Sequence, residues 1–222
     1  MATAPILAAR ILTRGAPLSG KNLLRDVGVE LFPGDRVALQ GESGAGKTVL
    51  LRALAQLDAA EGTLILNGEN TLAAAIPHYR SKVLYLHQSP SFPEGSVRNA
   101  LQEPFSWRVH RDKQYREANV VAMLDEFGKD LSFLDEPTAN LSGGERQILA
   151  LLRSIQLAPC ILLLDEPTAA LDANRTATFE SILLKWSQQG PRAFVWVSHD
   201  QEQANRVANR FVRIAAGRIV DG

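Results

Sequence analysis

A glycine-rich segment at positions 41–48 constrains the fold of this chain more than any other part of its sequence. Its letters, GESGAGKT, match the pattern G-x-x-x-x-G-K-[ST] at every fixed position. An apolar run of strand length precedes the segment, and good helix formers follow it. Glycines between a strand and a helix let backbone N–H groups converge on an anion at the positive end of the helix. The pattern therefore predicts a phosphate-binding loop, whose contact residues would be Gly41, Glu42, Ser43, Gly44, Ala45, Gly46, Lys47, Thr48 and Val49.

Two side chains of this loop are predicted to act directly on a bound nucleotide. Lys47 would reach its terminal phosphates, and the Thr48 hydroxyl would bind Mg²⁺. The alternative is a glycine-rich turn that precedes a helix by chance. Because the Lys-Thr pair stands in register with the glycines, the phosphate-binding interpretation is favoured.

Composition narrows the classes of function. The 222 residues carry 24 Lys+Arg and 24 Asp+Glu, so the formal net charge is zero and gives no electrostatic case for nucleic acid. The single cysteine, Cys160, cannot form an internal disulfide, and we interpret it as a small buried residue. The first residues show no signal-peptide pattern, and no apolar run is long enough to cross a bilayer. We expect a protein that is soluble on its own and that would need a partner for any membrane role.

Strands and helices are predicted to alternate along most of the chain, which indicates an α/β fold with a parallel sheet. Residues 6–39 are β-rich, residues 96–157 are more polar with helical periodicity, and buried strands are predicted at 161–164 and 193–197. We interpret residues 1–222 as a single domain. Its core would comprise about 1–88 and 158–222, with a helical subdomain inserted at about 89–157.

Two carboxylates follow the apolar run ILLL at 161–164, which is typical of a central buried strand. Such a strand delivers its terminal side chains to the sheet edge where ligands bind in α/β folds. Asp165 is predicted to hold Mg²⁺, and Glu166 to polarise a water for attack on the γ-phosphate. The alternative is a solvated acidic pair at a strand end.

The letters LDEPTA occur twice, at 134–139 and at 164–169. No continuous apolar run precedes the first copy, which also lies in the helical part of the sequence. We interpret the first copy as a surface loop, and its Asp135 and Glu136 as non-catalytic.

A third motif, LSGGE at 141–145, opens a predicted helix. Ser142 and Glu145 fit a capping box, so the segment could be a well-capped helix and nothing more. Gly143 and Gly144, however, weaken a first helical turn unless something must approach that backbone closely. Together with the serine hydroxyl, the free N–H groups of the helix start favour an anion-binding site.

Five motifs together carry a family resemblance. The phosphate loop, Gln88 at a strand end, LSGGE, Asp165-Glu166 and Ser198-His199-Asp200 resemble the ATP-binding cassette (ABC) ATPases in order and spacing. The resemblance covers essentially the whole chain. It implies a P-loop NTPase (RecA-like) core with an N-terminal antiparallel β subdomain and an inserted α-helical subdomain. It also implies an ATP hydrolase that uses ATP and Mg²⁺.

The resemblance further implies that two copies pair head to tail around ATP. The LSGGE residues of one copy would contact the γ-phosphate held by Lys47 of the other. Gln88 would contact Mg²⁺ or the attacking water and sense a membrane partner, and His199 would contact the γ-phosphate. Asp172 would lie at the subunit interface, and it is also a natural N-cap for the helix after it. Alone, Gln88 and His199 could be surface residues; the motif order favours the functional interpretation. The LSGGE residues that the opposing copy would bring to the ATP site are Ser142, Gly143, Gly144 and Glu145.

The region expected to hold adenine departs from the family. Cassettes usually carry an aromatic residue upstream of the phosphate loop, whereas residues 1–31 contain no Phe, Tyr or Trp. Arg14 lies near the expected position, and a guanidinium plane can stack on a ring. The alternative is that Arg14 is simply solvated. We expect a loosely held adenine with modest base selectivity.

Three functions remain to be compared. The chain resembles the small bacterial ATPases of the iron-export type, which pair with a separate permease. This implies a cytoplasmic protein, peripheral on the inner face of the cell membrane. The second function is a soluble ABC ATPase acting as an assembly scaffold, for example in iron–sulfur cluster biogenesis. The third, a cassette working on nucleic acid, is disfavoured because the chain has one phosphate loop, a short insert and zero net charge.

Overall fold

The computed structural model describes residues 4–15, 22–71 and 76–220, and these ranges form two sheets flanked by helices. Residues 1–3, where the segment inspected for a signal peptide begins, lie outside them. The α/β fold with an antiparallel β subdomain, predicted from the sequence, is confirmed. Among the helices of these ranges, none combines the length and apolar character needed to cross a bilayer.

The smaller sheet is antiparallel and contains the N-terminal strands in the order β2-β1-β4-β5. The tight turn between β4 and β5 uses Asn67 at φ +50° and Gly68 at φ +82°, the backbone that an Asn-Gly pair favours in a hairpin. The four strands are β1 (Leu7–Gly15), β2 (Asn22–Leu31), β4 (Glu61–Leu66) and β5 (Glu69–Asn70).

The larger sheet has the order β10-β9-β3-β8-β7-β6, and all of its neighbouring pairs except β10–β9 are parallel. Every residue of β7 and β8 is buried, as expected for central strands covered on both faces. The parallel arrangement brings the carboxyl ends of β3, β6, β7 and β8 to one edge. The strands are β3 (Arg36–Gln40), β6 (Val83–Leu86), β7 (Ile161–Asp165), β8 (Ala193–Val197), β9 (Arg210–Ala215) and β10 (Arg218–Val220).

Successive residues of β7 point into two different cores, as the two-residue period of a strand requires. Leu163 packs with the smaller sheet and the helix after β3, whereas Leu162 and Leu164 pack with the later helices. Cys160, just before β7, is only partly buried against the first core. The helices are α1 (Lys47–Leu54), α2 (Ile76–Arg80), α3 (Val97–Gln102), α4 (Glu117–Glu126), α5 (Gly143–Ile155), α6 (Ala173–Ser187) and α7 (Gln201–Val207).

The first LDEPTA copy is more ordered than the surface loop predicted for it. It lies in two short 3₁₀ turns, Leu131–Asp135 and Thr138–Asn140, with Leu134 and Thr138 buried. Its backbone pairs with residues 93–97: Val97 N donates to Glu136 O at 2.9 Å, and Thr138 N donates to Gly95 O at 2.8 Å. The Thr138 hydroxyl also donates to Pro93 O at 2.8 Å. The segment therefore holds residues 93–97 in place, a structural role that its sequence did not predict.

Candidate active site

The phosphate loop connects β3 to α1 through a backbone that only glycine adopts readily. Gly41, Gly44 and Gly46 have φ values of +155°, +77° and +108°. A Cβ atom on Gly41 would lie 2.3 Å from the carbonyl oxygen of Ile214, so the close approach of β9 also excludes a side chain there. Gly46 is the N-cap of α1 and makes no side-chain cap, which leaves the first-turn N–H groups available to an anion.

Lys47 lies back across the loop that precedes it. Its side chain is 8% exposed, and Nζ donates to the carbonyl oxygens of Gly41 at 2.7 Å and Glu42 at 3.0 Å. These contacts hold an ammonium group at the mouth of the loop, which is where the terminal phosphates are predicted to bind. Thr48, the predicted Mg²⁺ ligand, is exposed at the start of α1.

Asp165 and Glu166 stand at the carboxyl end of β7, as predicted from the apolar run before them. Asp165 is 5% exposed, and its Oδ2 accepts a hydrogen bond from the Tyr85 hydroxyl at 2.9 Å. Burial and the Asp165 charge raise the pKa of Tyr85, so the phenol stays protonated and donates. Glu166 has φ +47°, a left-handed backbone that side chains rarely adopt and that often marks a functional position.

The Glu166 carboxylate is the point where the predicted catalytic residues meet. Gln88, which follows β6, donates through Nε2 to Glu166 Oε2 at 2.9 Å. His199, which follows β8, places Nε2 2.9 Å from Glu166 Oε1. The three residues come from three neighbouring strand ends. The structure therefore brings together Gln88, Glu166 and His199, as the motif order predicted.

The LSGGE segment forms the capping box predicted for it. Ser142 N and Oγ donate to Glu145 Oε2 at 2.9 and 2.7 Å, and Glu145 N donates to Ser142 Oγ at 3.3 Å. Lys129 Nζ also donates to Glu145. Hydrogen bonds from Lys129 and then from Ser142 lower the pKa of Glu145 to about 2. The Glu145 carboxylate is thus charged, and Lys129 compensates its charge. Ser142 and Gly143 beside it are exposed.

The backbone of Gly144 is approached closely, as predicted, by another segment of the same chain, and its contact with ATP stays a prediction. A Cβ atom on Gly144 would lie 2.7 Å from the carbonyl oxygen of Ala170, and one on Gly143 would lie 3.2 Å from the Ala170 side chain. The close approach comes from the chain's own turn after β7. Asp172, in the same turn, accepts from Arg175 N at 2.9 Å, so its predicted N-cap role is confirmed and its interface role stays a prediction.

Arg14, the residue predicted to stack on adenine, is engaged in an ion pair. Its guanidinium forms an ion pair with Asp58, which also pairs with Arg52 at 2.7 Å. Asp58 lies beyond the C-terminal end of α1, whereas the phosphate loop lies at the N-terminal end. The alternative of a simply solvated Arg14 is wrong, because its side chain is only 19% exposed, and its contact with adenine stays a prediction. The pKa of Asp58 is lowered to about 2, chiefly by hydrogen bonds from Arg52.

The donor set at the strand ends fits Mg²⁺. Asp165 is a buried carboxylate with no Lys, Arg or His ion pair among the described residues, and a cation would compensate its charge. Mg²⁺ prefers one or two carboxylates and completes its shell with water and phosphate oxygens. In the described part of the chain, no cluster of three or more His, Cys, Asp or Glu side chains could hold a metal alone.

Comparison with known proteins settles the family. A family model described as "ABC transporter" matches residues 24–169, which include the phosphate loop, Gln88, LSGGE and both carboxylates. The chain belongs to the ABC transporter family. The resemblance to ABC ATPases that its motifs carry is thereby confirmed.

The names of similar proteins point to different transport functions. "Probable iron export ATP-binding protein FetA" of Escherichia coli is 33% identical over 82% of this chain and 80% of that protein. "Protein STAR1" of rice is 32% identical over 99% of this chain. "Sulfate/thiosulfate import ATP-binding protein CysA" of Bordetella parapertussis is 38% identical over 88% of it. The chain spans 63% of STAR1 and 56% of that CysA.

A solved structure supports the ABC fold. The ATP-binding cassette MJ0796, a dimer in a post-hydrolysis state bound to ADP and Pi, superimposes with a TM-score of 0.83. It shares 22% sequence identity, and the match covers 97% of each chain. At this identity the likeness shows the fold alone.

Sequence reasoning missed several residues that support the site. Tyr85 holds Asp165, and Gln203 links the His199 loop to the turn after β7 by accepting from Ser198 Oγ at 2.8 Å and donating to Thr168 Oγ1 at 3.0 Å. Gln147 was missed although it stands three residues after Gly144, on the face of α5 that is buried. A polar residue at a helical position predicted to be buried was the available signal.

The duplicated motif allows a direct test of the catalytic assignment. We expect Glu136→Gln to turn over ATP at a rate within about twofold of the unaltered protein, because Glu136 contributes only its backbone carbonyl to the contact with Val97. Phosphate release at saturating ATP measures this. A loss of tenfold or more would mean that the first copy, not the second, carries the catalytic carboxylate.

Proposed function

We propose that this chain binds and hydrolyses ATP to drive a separate membrane permease, working as a pair of identical copies. The observation that supports this most strongly is the meeting of Gln88 and His199 on the Glu166 carboxylate. Gln88 and His199 are both exposed at the sheet edge, so their convergence buries little surface. Their arrangement suits a reaction in which a water is activated beside a phosphate.

In the proposed reaction, Lys47 and the N–H groups of the phosphate loop bind the phosphates, and Glu166 accepts a proton from the attacking water. Gln88 and His199 hold the carboxylate and would contact the water and the γ-phosphate. Mg²⁺, when bound, would neutralise phosphate charge, with Thr48, Gln88 and Asp165 as its protein ligands. Most of the rate enhancement would then come from positioning and charge.

We propose that the second half of each ATP site comes from another copy. Ser142 and Gly143 are exposed at the start of α5, and Glu145 is compensated by Lys129, so a phosphate could approach without meeting a free carboxylate charge. Asp172 would lie at the same interface. ATP would join the copies, and phosphate release would separate them.

A groove beside Gln88 is the proposed contact for the permease. It has a volume of about 400 Å³ and lies between the segment after β6 and helix α5. Exposed Trp107 stacks at 5.4 Å on Arg153, which lines the groove. An apolar segment of a partner could therefore find aromatic and aliphatic surface here. Other lining residues are His87, Ser89, Pro90, Phe92 and Ala150.

For cargo, we propose metal export with iron as the first candidate. The resemblance to the iron-export type and the FetA relative support export, whereas the CysA relatives are named for sulfate import.

The permease would hold the chain on the inner face of the cell membrane. We retain the proposed division into a core, about 1–88 and 158–222, and a helical subdomain at about 89–157.

Purification of the tagged protein from its own membranes tests the transporter proposal. We expect an integral membrane protein with several spans to co-purify, and Phe92→Asp together with Ala150→Asp in the groove to reduce its recovery at least tenfold. Leu131→Asp, at an exposed position outside the groove, is the matched control. Recovery of only soluble partners would favour the alternative, a soluble assembly scaffold for iron–sulfur clusters.

Base selectivity is expected to be modest. The described residues 4–15 and 22–31 offer no aromatic ring, and Arg14 is engaged by Asp58, so binding would depend on phosphate contacts. We expect the dissociation constants for ATP and GTP to agree within about fivefold, which titration calorimetry can measure. A preference for ATP of a hundredfold would contradict this and indicate an adenine contact elsewhere.

A further inference from the structure

Gln147 is a buried amide in the second turn of α5 that the function proposed above does not use. Its side chain is 3% exposed, and Ile148 and Leu151 on the same part of the helix are both fully buried. Burying an amide costs free energy unless both of its ends find hydrogen-bond partners. What this side chain contacts therefore explains why an amide is present on an otherwise apolar helix face.

Both ends of the Gln147 amide are satisfied by backbone groups of other segments. Nε2 donates to the carbonyl oxygen of Gln88 at 3.1 Å and, more weakly, to that of Glu166 at 3.4 Å. Oε1 accepts from the backbone N–H of Ala170 at 3.0 Å. One side chain thus joins the helix that begins with LSGGE to the segments after β6 and β7.

These contacts bear on the reaction because they fix the backbone that carries the catalytic side chains. Glu166 is held in its left-handed conformation by its N–H, which donates to Val197 O at 3.1 Å, and by its carbonyl, which accepts from Ala169 N at 3.2 Å. Gln147 adds a third contact to Glu166 and also holds the neighbouring Gln88. A displacement of about 1 Å at a reacting group can cost about 100-fold in rate.

We propose that Gln147 is a positioning residue for ATP hydrolysis: it fixes the backbones of Gln88 and Glu166 to the helix that carries LSGGE. The inference rests on the proposed role of Glu166 in hydrolysis. It has a mechanical consequence as well. The start of α5, which would contact ATP on the other copy, and the carboxylate that acts on the chain's own ATP move as one body.

Kinetics of Gln147→Met give the first test. Methionine has a similar length and removes all three hydrogen bonds, so we expect kcat for ATP to fall about 10- to 100-fold. KM for ATP should stay within about threefold, because the phosphate loop is untouched. The matched control is Gln156→Met: this amide lies at the other end of α5 and donates to Leu101 O at 2.7 Å, away from the catalytic residues. We expect Gln156→Met to lower the melting temperature but not kcat.

Amide hydrogen exchange gives a second readout that does not depend on turnover. In the unaltered protein, Ala170 N–H should be protected, and it should exchange at least tenfold faster in Gln147→Met but not in Gln156→Met. Gln147→Glu is a second variant in case the methionine does not fold. It retains an acceptor for Ala170 but turns a carboxylate oxygen toward the two carbonyls, so it should also lose kcat while Ala170 stays protected.

Three results would overturn the inference. The first two are an unchanged kcat in both Gln147 variants and a loss of kcat that Gln156→Met shows equally at the same melting temperature. Unchanged exchange at Ala170 in Gln147→Met would do the same. Failure of the proposed function would give a different result. The unaltered protein would then show no ATP hydrolysis that is lost in Glu166→Gln. Hydrogen exchange at Ala170 would still be faster in Gln147→Met.

Discussion

Glu166→Gln is expected to bind ATP and to pair with a second copy, but to hydrolyse ATP about 100- to 10,000-fold more slowly. Glutamine has the same shape, and its amide oxygen can still accept the hydrogen bond from Gln88. It cannot take a proton from water, so the chemical step alone is lost. Phosphate release measures turnover, and size-exclusion chromatography with and without ATP measures pairing.

Glu136→Gln is the matched control for this experiment, because it makes the same change in the same six-letter context. Normal hydrolysis by Glu166→Gln would falsify the assignment of Glu166 as the base. Loss of ATP binding in that variant would instead show that the carboxylate holds the nucleotide site together.

Gly41→Ala is expected to abolish detectable ATP binding and to lower the free energy of unfolding by about 3 kcal/mol. The added Cβ would lie 2.3 Å from the carbonyl oxygen of Ile214, and Gly41 has φ +155°. Neither problem can be relieved by a side-chain rotation, because both involve backbone. Urea denaturation measures the stability, and titration calorimetry measures ATP binding.

The control for this variant is Gly28→Ala. A Cβ atom there would come no closer than 3.9 Å, to Ala9 O, so stability and ATP binding should stay unchanged. If Gly41→Ala bound ATP normally, β9 would have to move away from the loop readily, and the tight contact would not be part of the site.

The sequence could predict the site where the chemistry is local to a motif. The phosphate loop and the capping box at Ser142 are set by residues within a few positions, and the apolar run before Asp165 identifies its strand. The ion pair of Arg14 could not be predicted in this way, because its partner Asp58 is 44 residues away. Gln147 likewise contacts Gln88 across 59 residues.

The two LDEPTA copies also show what local sequence can and cannot predict. The apolar run before the second copy correctly predicted a buried strand, β7, whereas the first copy begins within a 3₁₀ turn; which copy is catalytic stays a prediction. The pairing of the first copy with residues 93–97 is a contact between distant backbone groups, which side-chain letters do not encode.

That pairing has a consequence for how two copies would communicate. The segment 93–97 follows the proposed permease groove, and residues 136–138, bonded to it, lead after a short turn to Ser142. Because backbone hydrogen bonds join these segments, a push on the groove of one copy would be felt at its own LSGGE segment. In a head-to-tail pair that segment faces the other copy's nucleotide. Because Gln147 fixes Gln88 and Glu166 to the same helix, each half of the permease would then act on both ATP sites, its own copy's and the other copy's.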